Sequence, residues 1–380
     1  TMSRVLAALA LGLMLASSVE GVQKSISLMT FNAMQFPTNV GPDVFDWAQK
    51  DRAERMESVI RGLSPQPDVI AFQEILNDDA KDVLDAIKNL YPYQTEILGS
   101  TCSGLSGLWA KLTGDCPKVD FTQLVSSGTT LISKHPLAST GALFFDTHAA
   151  YTADSFAVKG AIYAEIAIEN KYRVHVVTTH LQSDSPLWGD GDTAETHTIR
   201  MEQIREINSY ITSLNIPSNE PVIIMGDLNV RNTETARYTE MLSTAMAVSS
   251  LNDPDGFGTV SCQNNWVSNW FTQKYSSGCE VGYVLDYILL RTDHLQPVGT
   301  STGSVVQMTF SPAIEWDGSD KLERDGGMYD ELSDHYAVQQ PFTFDLPERQ
   351  FTSGSTAAAF GAPLFTLTAC AAALLAKFVL

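Results

Sequence analysis

Six apolar stretches of this chain each carry, at an end, a residue that can bind a metal ion or move a proton. They lead to Asn32, Glu74, His180 and the pair Asp227 and Asn229, and further downstream to Asp286 and to Asp334-His335. One carboxylate at a strand end is ordinarily a turn former or a helix cap. A lone histidine is ordinarily a structural hydrogen-bonder. An ordered series of six has no such structural explanation, so the chain must fold in a way that gives these ends a common purpose.

The spacing of apolar residues supplies the elements between them. Residues 25–32 and 68–74 read as strands, the second ending in a carboxylate. Between them, Ala53, Met56, Val59, Ile60 and Leu63 recur at helical spacing, predicting a helix over 51–63. Val83, Leu84, Ile87 and Leu90 share one face of a second helix over 79–90. Later strands are expected at 128–133, 160–168, 173–180, 222–227, 284–290 and 335–338, with a long helix over 194–214. Strands alternating with helices early, and more strands late, predict a large mixed α/β sandwich.

Charge narrows the substrates. The net charge of −20 argues against a long nucleic acid as partner, because a polyanion needs basic surface to neutralise its phosphates. A single phosphodiester is still compatible, since a bound cation supplies positive charge locally. Mg²⁺ or another hard divalent cation takes oxygen ligands, and Asn32, Glu74, Asp227, Asn229 and Asp334 offer them. Attack on phosphorus also needs a base for water and a group that steadies developing charge, roles open to His335 and His180.

Both ends read as processing signals. Arg4, the apolar run from Val5 to Leu15 and the small residues Ala16, Ser17 and Ser18 predict a secretory signal over 2–20. The central segment 21–352 is then the catalytic domain. The tail 353–380 starts at Ser353-Gly354-Ser355 and continues apolar to the last residue, as a glycolipid-anchor signal does, with a retained membrane helix as the competing reading. Cys370 falls in that tail, leaving Cys102, Cys116, Cys262 and Cys279, which allow three pairings. The local pairing, Cys102–Cys116 and Cys262–Cys279, closes the shortest loops and is the one expected. The predicted location is secreted or on the outer cell surface.

The ordered series resembles the endonuclease/exonuclease/phosphatase superfamily over nearly the whole of 25–338. That resemblance implies a four-layer α/β sandwich, two packed sheets flanked by helices, with the site at one edge. It also implies roles. Glu74 and Asn32 hold the principal metal, and Asp334 sits beside it. Asp227 and Asn229 bind the scissile phosphate or a second metal. His335 is the general base, oriented by Asp286, and His180 stabilises the transition state or protonates the leaving group.

Narrower segments are similar to secreted bacterial-type neutral sphingomyelinases: Thr179-His180-Leu181-Gln182-Ser183-Asp184-Ser185, Val158-Lys159-Gly160-Ala161-Ile162-Tyr163, Leu285-Asp286-Tyr287-Ile288 and Ser333-Asp334-His335-Tyr336. The run Tyr91-Pro92-Tyr93-Gln94 fits the same group. The implied reaction is hydrolysis of sphingomyelin, in membranes or lipoproteins, to ceramide and phosphocholine. In that group an aromatic-tipped hairpin precedes the last Asp-His and enters membranes. Here the stretch 307–332 has Phe310, Trp316 and Tyr329 among many acidic residues. Two alternatives stand beside this reading: a secreted nuclease of the same superfamily, and an inactive lipid-binding module on the fold. His135, His148, His175, His197 and His294 read as structural, and Asn264-Asn265-Trp266 as part of a packed loop.

Overall fold

Period-two alternation in the strands and apolar stripes on the helices sort the molecule into layers. The computed structural model describes residues 21–36, 48–102, 125–149, 152–184, 193–269, 282–316 and 327–349. The described chain starts with β1 (Val22–Gln35), α1 (Gln49–Gly62), β2 (Val69–Ile75) and α2 (Asp78–Ala86). It continues through β3 (Tyr93–Gln94), β4 (Thr130–Ser133), β5 (Leu137–Phe144), β6 (Gly160–Ile168) and β7 (Tyr172–His180). Then come α3 (Thr193–Ser213), β8 (Val222–Asp227), α4 (Thr235–Ala245), β9 (Ala247–Ser249) and β10 (Leu251–Asn252). The last strands are β11 (Asp286–Arg291), β12 (Gly303–Val306), β13 (Thr309–Trp316), β14 (Gly327–Glu331) and β15 (Ala337–Leu346).

These strands form a seven-stranded sheet in the order β10-β12-β15-β1-β2-β4-β3 and a six-stranded sheet in the order β5-β6-β7-β8-β11-β9. β13 and β14 pair with each other as a separate hairpin. The core explains why the two sheets stack. Ile26 and Leu28 of β1 and Val69 and Ala71 of β2 pack against Val174 and Val176 of β7, Ile223 and Met225 of β8, and Ile288 and Leu290 of β11. Their neighbours in sequence point the other way: Met29, Phe31, Ile70 and Phe72 meet Met56 and Ile60 of α1 and Val83 and Leu84 of α2. On the far side, Val177, Ile224 and Leu289 meet Ile204, Ile207 and Ile211 of α3 and Met241 of α4. The result is helix, sheet, sheet, helix: the four-layer sandwich that the sequence implies. Each such aliphatic side chain, fully buried, contributes about 1.5–3 kcal/mol.

Several boundaries differ from the sequence reading. The helix expected over 79–90 ends at Ala86, where the chain turns. The last strand begins at Ala337 rather than at His335 and runs to Leu346, across Pro341. Asp286 and Asp334-His335 therefore precede or open strands instead of ending them. Because β11 runs antiparallel to β8, and β15 antiparallel to β1, these strand beginnings lie at the same edge as the ends of β1, β2, β7 and β8. β5 and α4 were not anticipated.

Two compact units divide the chain, Thr1–Glu348 and Arg349–Leu380, and all the elements above belong to the first. The signal expected over 2–20 and the tail expected over 353–380 lie outside the described residues, as do Cys116 and Cys279. Cys262 is buried and disulfide-bonded, and Cys102 closes a short 3-10 turn over Ser100–Cys102. Among the described residues no helix is long and apolar enough to cross a membrane.

Candidate active site

One face of each central strand changes character along its length. On β1 the inter-sheet residues run Ile26, Leu28, Thr30, Asn32; on β7, Val174, Val176, Thr178, His180. β8 gives Ile223, Met225, Asp227, and β11, read backwards, Leu290, Ile288, Asp286. A buried polar layer, in which Gln73 accepts from Thr30 and donates to Thr178, separates the apolar part from the candidate residues. Register then aligns the top layer: His180 pairs with Asp227, and Asp227 with Asp286.

Three residues at this edge adopt left-handed backbone, with φ of 47° at Met34, 59° at Glu74 and 52° at Asn229. Asparagine tolerates that region, whereas Met and Glu are strained there, as residues at functional sites often are. Gly226 is required for a different reason. A Cβ there would lie 1.9 Å from the Thr179 carbonyl oxygen, in a backbone with φ of 144°. No side chain fits between β8 and β7 at the residue before Asp227.

The eight residues singled out in the sequence come together in this edge. Asn32 Nδ2 donates to Glu74 Oε1 at 3.1 Å and to Asp227 Oδ2 at 3.0 Å. Its amide oxygen accepts the Met34 N–H. His180 stands between the same carboxylates, Nδ1 3.9 Å from Glu74 and Nε2 3.6 Å from Asp227. His335 Nδ1 lies 2.8 Å from Asp286 Oδ2, while its Nε2 faces Asp227 at 3.9 Å. The Asn229 N–H donates to Asp227 Oδ1, and its side chain donates to the Leu181 carbonyl. Asp334 accepts from Ser333 and acts electrostatically on both Glu74 and His335.

Crowded acids set the electrostatics. The Glu74 carboxyl is pushed up to about 8, first by burial and then by the Asp334 charge, with Asn32 and His335 pulling against them. Burial and the neighbouring Asp286 raise Asp227 in the same way. His180 goes down to about 4, through burial and the Lys159 charge. For His335, burial opposes the charged form, but Asp286, Asp334 and Asp227 together hold the imidazole well above the usual histidine range.

This donor set fits a hard divalent cation. Burial first, and then repulsion between the carboxylates, holds protons on these acids, a role a bound cation would take over, and Asp286 Oδ1 is buried with no hydrogen-bond partner among the described residues. Asp227, Asp286 and His335 bring ligand atoms within 4.8 Å of one another. The His335 ring, however, is already engaged by Asp286, whereas Glu74 and Asn32 stand together on the other side of Asp227. Asn32 presents its nitrogen to the acids, so an amide ligand to metal would have to offer its oxygen instead.

Sequence reasoning passed over three buried supports. Lys159 donates to the Leu181 carbonyl at 3.2 Å and pairs with Asp154 at 3.1 Å. A lysine ahead of an apolar strand signals such an acid, since buried lysines need partners. Asn265 donates to the Ser333 carbonyl, and Trp266 stacks on Tyr329 with centroids 5.5 Å apart, so this loop is packed but also braces Asp334. Arg52 is fully buried, and its place at i, i+4, i+8 with Met56 and Ile60 was the available signal. The remaining histidines are structural where described: His175 joins Tyr163 to Glu220, and His197 faces Glu240.

Comparison with known proteins agrees with this geometry. The profile of the Endonuclease/Exonuclease/phosphatase family matches residues 29–335. A sphingomyelinase C of Leptospira interrogans is 30% identical over 320 residues, which are 82% of this chain and 51% of that protein. This chain thus spans about half the length of that relative. Among solved structures, sphingomyelinase C from Streptomyces griseocarneus superposes with a TM-score of 0.66 at 26% identity, over 84% of this chain and 99% of the other. A doubly substituted Staphylococcus aureus beta toxin with bound magnesium ions gives 0.67 at 25% identity, over 83% and 99%.

Proposed function

The chain belongs to the endonuclease/exonuclease/phosphatase family, and we propose that it is a Mg²⁺-dependent phosphodiesterase hydrolysing sphingomyelin to ceramide and phosphocholine. One observation carries the reaction class: His335, held at Nδ1 by Asp286 at 2.8 Å, sits in one cluster with the half-buried Glu74 and the buried Asn32, Asp227 and His180. The substrate rests on the sphingomyelinase relatives and on the net charge of −20, which disfavours a nucleic acid.

Glu74 and Asn32 would hold the cation, with Asp334 beside it. Bound there, Mg²⁺ supplies positive charge to the phosphate oxygens and offsets the surrounding carboxylates. Left uncompensated, the surrounding acids keep His335 protonated; with their charge offset by a cation, Asp286 would hold the proton on Nδ1 and leave Nε2 to take the proton from water as the oxygen attacks phosphorus. The bond from phosphorus to the ceramide oxygen breaks; that oxygen takes its proton from solvent, and His335 gives up the water's proton to solvent in turn. His180, held near 4, is neutral at working pH, which favours donation of an N–H hydrogen bond to a phosphoryl oxygen over full proton transfer. Asn229, anchored through Leu181, presents its amide to the same phosphate.

The enzyme acts outside the cell, on sphingomyelin in membranes or lipoproteins, with 2–20 as its export signal and 353–380 as an anchor signal. The disulfide at Cys262 supports an oxidising compartment. A substrate panel tests the reading: sphingomyelin, phosphatidylcholine and plasmid DNA, each with Mg²⁺ and with chelator. Metal-dependent release of phosphocholine from sphingomyelin is expected. Cleavage of DNA without hydrolysis of choline lipids would overturn it.

A further inference from the structure

Beyond Asn32, β1 leaves its regular ladder. The pairing with β2 shifts between Asn32 and Gln35, and Met34 adopts φ of 47°. Carbonyls turned out of a ladder inside a protein need donors. Here a side chain supplies them: Arg52 Nη1 donates to the Ala33 carbonyl at 3.2 Å, and Nη2 donates to the Met34 carbonyl at 2.6 Å. The same Nη1 donates to the Leu332 carbonyl at 2.7 Å, from a segment 280 residues away. Leu332 lies two residues before Asp334 and three before His335. One guanidinium therefore bridges the strand end that carries Asn32 and the segment that carries Asp334 and His335.

We infer that Arg52 is a positioning residue for the metal site, fixing the spacing between its Asn32 side and its Asp334 side through these three carbonyls. The inference rests on the proposed reading of those residues as a metal-dependent centre. Arg52 is not a catalytic residue: it lies on the buried stripe of α1, and its terminal nitrogens donate to the carbonyls of Ala33, Met34 and Leu332. Its charge has a second use. Burial lowers Arg52 to about 10, opposed by Asp334, Tyr329 and Glu74, so it remains a cation beside the acids at working pH. Lysine cannot replace it, because one ammonium cannot reach positions that two nitrogens of a rigid fork occupy.

The test is Arg52→Lys in the full chain, with Mn²⁺ as the metal probe. Mn²⁺ affinity is read by electron paramagnetic resonance, kcat and KM on sphingomyelin, and folding by near-ultraviolet circular dichroism. Supporting groups behind metal ligands commonly change affinity or activity 10–100-fold, so we expect Mn²⁺ to bind at least about tenfold more weakly per folded molecule. We also expect a fall in kcat at saturating metal with a smaller change in KM. A parallel Arg52→Ala protein should regain part of its Mn²⁺ affinity when guanidinium ion is added, which general destabilisation would not produce. Wild-type affinity and turnover per folded molecule in Arg52→Lys would overturn the inference, as would a loss that only follows the unfolded fraction. Should the wild-type chain bind Mn²⁺ yet release no phosphocholine, the functional reading fails while the metal-affinity arm still judges Arg52.

Discussion

The two ends of the inter-sheet layer are built from the same strands by the same alternation, yet they solve opposite problems. At one end Ile26, Val174, Val176, Ile223 and Ile288 interlock without polar atoms. At the other, Asn32, His180, Asp227 and Asp286 occupy the next positions along the same faces. The apolar end gains free energy from burial. The polar end spends part of it, because neighbouring acids are desolvated together and the backbone carries left-handed turns at Met34 and Glu74. Stability and chemistry are thus separated by only two to four residues along each strand. A mutation should reveal which side of that line it falls on.

The sharpest break in the comparison is His335→Ala. Loss of the proposed base should lower kcat at least about 10³-fold. The melting temperature should stay within a few degrees of wild type, because the histidine is bonded mainly to Asp286. A variant with near-normal turnover would remove His335 from the mechanism. One that unfolds would put it on the structural side. The counterpart is Ile223→Ala, at the apolar end of the strand that carries Asp227. Removing three buried carbons should cost roughly 2–5 kcal/mol in denaturant unfolding. Turnover of the folded fraction should be unchanged. If kcat fell tenfold instead, the two ends would be coupled through β8 and the separation would be wrong.

How legible this was from the sequence follows the same division. Strands that are nearly continuous apolar runs, such as Gly160–Ile168 and Val222–Asp227, match the sequence reading at both boundaries. Such a run is legible from its own residues alone. β15 was cut short because Gln339, Gln340 and Pro341 interrupt its apolar pattern, although β1 and β12 on either side hold it as a strand. Candidate residues at strand termini were visible because each stands where an apolar stretch gives way to the polar edge of the sheets. Their supports were not. Arg52 shows only its place on the apolar stripe of its helix and nothing of the Leu332 carbonyl it serves, and Asp154 has no local pattern at all. What sequence spacing conveys poorly is any contact whose partner lies hundreds of residues away.

The smallest effect bears on the polar end in the absence of metal, and its sign follows from Glu74. An unfolded glutamate releases its proton near 4.5, whereas the folded carboxyl holds it to about 8. Below the lower value both states are protonated, and this group favours neither. Between the two, the folded state binds one more proton than the unfolded state, so stability falls as pH rises. The slope is at most on the order of 1.4 kcal/mol per pH unit. Partial solvent access to the side chain reduces it, since Glu74 is 15% exposed. Metal-free protein should therefore melt lower at pH 8 than at pH 5.5. A divalent cation replaces the proton as the neutralising charge, so Mg²⁺ should raise the melting temperature by a few degrees more at pH 8 than at pH 5.5. In Glu74→Gln the metal-free slope should flatten and most of the Mg²⁺ response should vanish. A Mg²⁺ shift equal at both pH values would mean that the strain at this edge lies in the backbone turns and not in the crowded acids.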